Sequence, residues 1–128
     1  MQILQTVIVK QVLTEKLKQK LLASYSEKIN QLQTECEQLR FERKKTDKQY
    51  KGNQKDIAEF YEKETQQRLD KIKNIEFQKK QLELLPLGSE LKECERQTLT
   101  DVKVGDCWSG PEQERAIVVK DGIIIEIR

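Results

Sequence analysis

Histidine is absent from this chain of 128 residues. Without an imidazole the usual general base and the commonest metal ligand are both missing, which removes hydrolase triads and most zinc chemistry. Cysteine is scarce: Cys36, Cys94 and Cys107 are odd in number and no Cys-x-x-Cys occurs, so neither a disulfide framework nor a thiolate metal site is expected. Aromatic residues amount to 5%, too few for a large core. No apolar run approaches the ~18 residues of a membrane span, and the opening "MQILQTVIVKQV" is too short and too polar at alternate positions for a signal peptide. A reducing cytoplasm is the expected location. Glycine-rich phosphate loops are missing as well; "VKVGD" and "KDG" are turn signals. Catalytic residues, a cofactor, a metal and a small-molecule substrate are all expected to be absent, and the chain is read as not an enzyme.

Charge is plentiful, at 36% of residues. High charge with few aromatics suits long exposed helices, which bury few residues per turn. The net charge of +2 is too small to argue for nucleic acid, but it is unevenly spread. Residues 14–51 hold ten Lys or Arg against six Asp or Glu, whereas residues 86–128 hold six against nine.

Residues 3–13, "ILQTVIVKQVL", are rich in β-branched side chains and read as a strand. Thr14 offers a helix N-cap, and good helix formers then run without Pro or Gly to Gly52. In that stretch Leu22, Tyr25, Ile29, Leu32, Cys36 and Leu39 recur at the alternating three and four of a heptad seam. A second helix is expected from a cap at Asn53 to "LLPLG", with its seam at Tyr61, Thr65, Arg68, Ile72, Ile75, Lys79 and Leu82. Residues facing each other across an antiparallel hairpin have numbers with a constant sum. Leu22 with Leu82, Ile29 with Ile75 and Leu39 with Thr65 all add to 104, which puts the fold-back at Gly52. Arg68 and Lys79 occupy seam positions, where a charge either specifies register or snorkels to water.

After the hairpin, residues 89–108 read as one long bent strand or two short ones ending at Gly105-Asp106, with helix an alternative for 89–97. The loop "SGPEQE" then leads to "RAIVVKDGIIIEIR", in which Asp121-Gly122 is a two-residue hairpin turn. Strict alternation would put Val118, Ile123, Ile125 and Ile127 on one face and Ile117, Val119 and Ile124 on the other. The expected fold is therefore α+β. A small barrel-like module of four or five mostly antiparallel strands, from residues 1–13 and 86–128, would receive a long antiparallel coiled-coil hairpin, residues 14–85, after its first strand. One face of the closing hairpin would close the barrel with Val7, Val9, Val102 or Val104, and Trp108 would fill one end. The other face would need a cover from Leu17, Leu21 and Leu84 or from another subunit.

In "QTVIVKQVLTEK", "ECEQLRFE", "RLDKIK", "LPLGSE", "VKVGD" and "IVVKDGIIIEIR" the chain resembles the YlqD proteins of bacteria, over nearly its whole length. The resemblance implies a bacterial cytoplasmic origin and brings no functional residues with it.

Two sets of residues are candidates for contact. The hairpin tip, Arg40 to Lys55, has seven basic and two acidic residues. Arg40, Arg43, Lys44, Lys45, Lys48, Lys51 and Lys55 with Tyr50 can grip a phosphate backbone and stack a base, or simply solvate the tip. Phe41, Phe77 and Leu84 fall at the outward heptad position f and, with Ile124, are candidates for contact between copies. Glu35 with Glu37, and Glu62 with Glu64, are spaced two apart and do not face each other as acid and base on a helix. The expected role is a non-enzymatic interaction or assembly protein that presents a coiled-coil arm from a β-base. It would be a homo-oligomer without membrane contact, and the alternative is an RNA- or ribosome-associated module that uses the basic tip.

Overall fold

The computed structural model describes residues 1–49, 52, 54–108 and 114–128; Tyr50, Lys51, the expected cap Asn53 and most of the "SGPEQE" loop lie outside the described residues. The order is β1 (Gln2–Val12), α1 (Glu15–Gln49), α2 (Gln54–Leu84), β2 (Glu90–Asp101), β3 (Arg115–Lys120) and β4 (Ile123–Ile127). The chain divides into two compact units, one of Met1–Lys18 with Leu85–Arg128 and one of Gln19–Leu84.

The first unit is a four-stranded sheet in the order β2-β1-β3-β4. β1 runs antiparallel to β2, from Gln2 opposite Asp101 to Val12 opposite Glu90. Its ends are tied by backbone bonds: Met1 and Val102 exchange two, and Leu13 donates to Ser89 O at 2.7 Å while accepting from Gly88 N at 2.8 Å. The two distant parts of the chain thus meet along the whole of β1, because neither can satisfy its backbone groups alone. On its other side β1 pairs with β3 in parallel, Val7 to Gln11 against Arg115 to Val119.

Two expectations fail here. The four strands are mostly antiparallel, as expected, with two antiparallel pairings and one parallel, but the sheet is open and not a closed barrel. Four strands are too few to close at ordinary strand tilt, and closure would have to join β2 to β4. Residues 102–108 also add no strand, so Val104 is fully exposed and Trp108 is 72% exposed; with no barrel to close, Trp108 has no end to fill. The long strand expected after the hairpin does form, as β2, and the helical alternative for residues 89–97 is not taken.

The closing hairpin forms as its turn residues require. Asp121 and Gly122 both have positive φ, 48° and 81°, the left-handed pair that matches the twist of adjoining strands. Its faces differ from strict alternation, however. Val119 opposes Ile124 and Val118 opposes Glu126, so β4 carries one residue more than β3, at Ile125. The bulge moves Ile127 from the Val118 side to a place opposite Ile117. Val118 and Ala116 are buried, whereas all of β4 is exposed, Ile124 at 57% and Ile125 at 54%. The expected core-facing role of Ile125 is therefore wrong. Leu84, one of the residues expected to cover the other face, is itself exposed.

Thr14 starts α1 as a cap: its hydroxyl oxygen accepts from Leu17 N at 3.2 Å, and the hydroxyl donates to Asp121 Oδ1 at 2.7 Å. One side chain thus satisfies a free helix amide and holds the hairpin turn. Arg128 forks onto Glu90 and also reaches Glu126 at 3.2 Å, and the first of these contacts, outweighing desolvation, holds the Glu90 carboxyl below its ordinary range.

In the helical unit the less exposed residues follow the two seams. Leu22, Tyr25, Ile29, Leu32, Cys36 and Leu39 of α1 are half-buried, as are Tyr61, Thr65, Arg68, Ile75 and Lys79 of α2, while Ile72 and Leu82 are buried. Four side-chain contacts tie α1 to α2 in antiparallel order: Lys79 Nζ to Ser26 Oγ at 3.4 Å, Arg68 Nε to Glu35 Oε2 at 3.5 Å, Arg43 Nη2 to Glu62 Oε1 at 4.0 Å and Thr46 Oγ1 to Tyr61 OH at 3.2 Å.

Candidate functional site

On α1 the positions Arg40, Lys44 and Lys48 succeed one another at intervals of four, which aligns them in one row along the helix. All three are exposed, as are Lys45 beside the row and Lys55 at the start of α2, and none has an ion pair among the described residues. Arg43 is separate: it is half-buried and turned to Glu62. The structure therefore keeps five of the expected tip cations free and withdraws one; Tyr50 and Lys51 lie outside the described residues. Like charges four apart weaken an isolated helix by a few tenths of a kcal/mol, while Lys48, in the last turn of α1, gains a similar amount from the helix dipole.

Arg68 is the polar centre of the helical unit. It donates to the Glu64 side chain and to Glu64 O, the latter at 3.1 Å, and lies against Glu35 on the other helix. The Glu64 hydrogen bond, despite desolvation, raises its already high pKa, so it is charged at any working pH. Of Glu35, Glu37, Glu62 and Glu64, three thus meet cations: Glu35 and Glu64 at Arg68 and Glu62 at Arg43. Arg68→Glu would set three carboxylates together. It is expected to lower the melting temperature by several degrees in circular dichroism, and adding Glu35→Arg is expected to restore much of the loss; no loss would mean that the cluster does not hold the helices.

Between the helices lies a groove of about 840 Å³ whose lining includes Cys36, Leu39, Tyr61, Thr65, Leu69 and Ile72, with Arg40 and Arg43 at its edge. Phe41 and Phe77 are exposed, as expected from their outward heptad position, Phe77 at 62%. Sequence reasoning missed two more, Phe60 and Leu69, which are also exposed. Both directly neighbour seam residues, Tyr61 and Arg68, and an apolar residue adjoining a seam was the signal available. Phe60 stands edge-on to Tyr61, with ring centres 5.2 Å apart. Among the described residues no three His, Cys, Asp or Glu are grouped to hold a metal, and no helix is long and apolar enough to cross a membrane.

A family model described as "YlqD protein" matches residues 1–128. The uncharacterized protein YlqD of Bacillus subtilis (strain 168) is 46% identical over 128 residues, covering 100% of this chain and 98% of that one. A crystal structure of a protein of unknown function from Synechococcus sp. WH 8102 superposes with a TM-score of 0.85 at 21% identity, over 100% of this chain and 96% of that one. At that identity the likeness speaks for the fold alone.

Proposed function

This chain belongs to the YlqD family, and we propose that it is a non-enzymatic interaction protein of the cytoplasm whose helical pair acts as a coiled-coil arm that grips a partner protein. The observation that carries the reading is the distribution of apolar surface on α1 and α2. Helices of 35 and 31 residues bury only Ile72 and Leu82, while Phe41, Phe60, Leu69 and Phe77 stay exposed. Large apolar side chains on outward positions of a soluble helix pair mark contact surfaces. The groove between the helices, with Leu39, Leu69 and Ile72 in its lining beside charged residues of both signs, Arg40, Arg43, Glu37 and Glu62, suits a partner helix with apolar anchors and polar flanks.

Phe60→Glu with Phe77→Glu tests the reading. Tagged protein purified from its native host is expected to retain a defined partner that the double variant loses, with helix content unchanged. A partner retained undiminished by the variant, or none with the parent protein, counts against the arm.

The unpaired row Arg40, Lys44 and Lys48 favours a second reading, in which the same arm meets the phosphate backbone of RNA. Phosphate contacts release counterions, so affinity for a structured RNA must fall steeply with salt. Lys44→Glu, Lys45→Glu and Lys48→Glu together are expected to abolish that binding at low salt while leaving the fold intact. Binding that is absent at low salt, or indifferent to the three reversals, removes the RNA reading.

A further inference from the structure

The two edges of the sheet are unlike. β2 presents Lys92, Glu93, Glu95 and Arg96 within its twelve residues, the charge that natural sheets place on an edge to block further pairing. β4, outermost on the other side among the described residues, is Ile-Ile-Ile-Glu-Ile, with every residue exposed. Its one charge is not bare: Glu126 is held by Arg128, which also forks onto Glu90. An apolar strand edge of this kind is a template for another strand.

We propose that the occupant is a second copy of this chain, with the two β4 strands paired antiparallel about a two-fold axis at Ile125. β4 is its own complement in that register. Ile125 meets Ile125 of the second copy and Ile123 meets Ile127, cross-strand pairs of the kind that stabilise a sheet, while Glu126 lies opposite Ile124. A register shifted to centre on Glu126 would oppose two carboxylates, which destabilises a pair.

Closure decides between edges. β4 against β2 of the next copy would bury β2 charges on isoleucine and leave a free β4 and a free β2 to propagate into a filament, whereas β4 against β4 closes at two. Four isoleucines, each more than half exposed, offer on the order of 100 Å² apiece, of which strand pairing covers a part, so the contact stays below roughly 800 Å² over the two copies. With the added backbone hydrogen bonds this is the range of a weak, reversible dimer. The inference is independent of the arm, since β4 lies outside the helical unit, and failure of either leaves the other standing.

Sedimentation equilibrium of the full chain is expected to show a monomer–dimer equilibrium in the tens of micromolar. Ile125→Lys should raise its dissociation constant at least about tenfold with an unchanged circular dichroism spectrum. Leu99→Lys, at an exposed leucine opposite Leu4 on the β1–β2 pair, should leave the constant as it was. In a background with Cys36, Cys94 and Cys107 changed to serine, Ile125→Cys should form a disulfide-linked dimer under mild oxidation; this readout decides the matter if Ile125→Lys does not fold. A strictly monomeric parent, association indifferent to Ile125→Lys or equally lost with Leu99→Lys, or no cross-link would each overturn the proposal.

Discussion

Val118→Asp is expected to abolish folding, while Ile125→Asp, on the neighbouring strand, leaves the sheet folded. Val118 is 1% exposed in the middle of β3, between β1 and β4. A carboxylate there is cut off from water, a cost of several kcal/mol; Lys10, its register partner on β1, is only half-buried and offsets part of that cost. A domain of this size has only about 5–15 kcal/mol of total stability. Ile125 sits at the bulge of the outer strand with half its surface in solvent, so an aspartate there stays hydrated and changes monomer stability by about 1 kcal/mol or less. Urea unfolding of both variants at low concentration, followed by circular dichroism, checks the contrast. Equal loss of fold in the two would mean that β4 is packed on both faces in solution, contrary to its exposure.

The same strand shows what a sequence can and cannot carry. Asp121-Gly122 was legible because a two-residue turn needs positive φ at both positions and few residue pairs tolerate it. The bulge three residues later was not. In Ile123-Ile124-Ile125 a slip by one exchanges isoleucine for isoleucine, so hydrophobic pattern, the usual determinant of register, has nothing to act on. The antiparallel fold-back of α1 and α2 was legible for the opposite reason: the expected seam spacings are regular, and the two numbers in each expected pair add to 104. Contacts seen between the helices scatter closely about that value, from 103 for Arg68 with Glu35 to 107 for Thr46 with Tyr61.

Sheet order was beyond reach. The parallel pairing of β1 with β3 joins Val7 to Arg115, a contact between residues more than a hundred apart that no local signal marks. Trp108 misled because a lone tryptophan is usually buried, and the barrel that would have buried it does not close. Among candidate contacts, exposure at Phe41 and Phe77 followed from heptad position. The separate fates of Arg43 and Lys44 did not, since adjacent basic residues in sequence point to different sides of a helix and only Arg43 meets a carboxylate on α2.

Leu13→Ala is expected to cost about 3 kcal/mol, within the range for deleting a buried leucine, and to lower the melting temperature by roughly 10 °C. Leu13 has no exposed surface. Its amide and carbonyl are bonded to Ser89 and Gly88, so the residue marks where the strand entering the helical insertion is joined to the strand that leaves it. Backbone bonds pin its position, which limits how far neighbours can collapse into the space that the lost methyl groups leave. Limited collapse puts the cost well above the ~1 kcal/mol of an average substitution. Leu84→Ala, at a leucine 79% exposed, removes the same atoms from a site that keeps most of its contact with water and is expected to shift the melting temperature by no more than about 2 °C. Differential scanning calorimetry of the two variants beside the parent measures both shifts. A small effect at Leu13 would show that the two parts of the β-module hold together without a buried side chain at their junction, and that the ladder of β1 with β2 suffices.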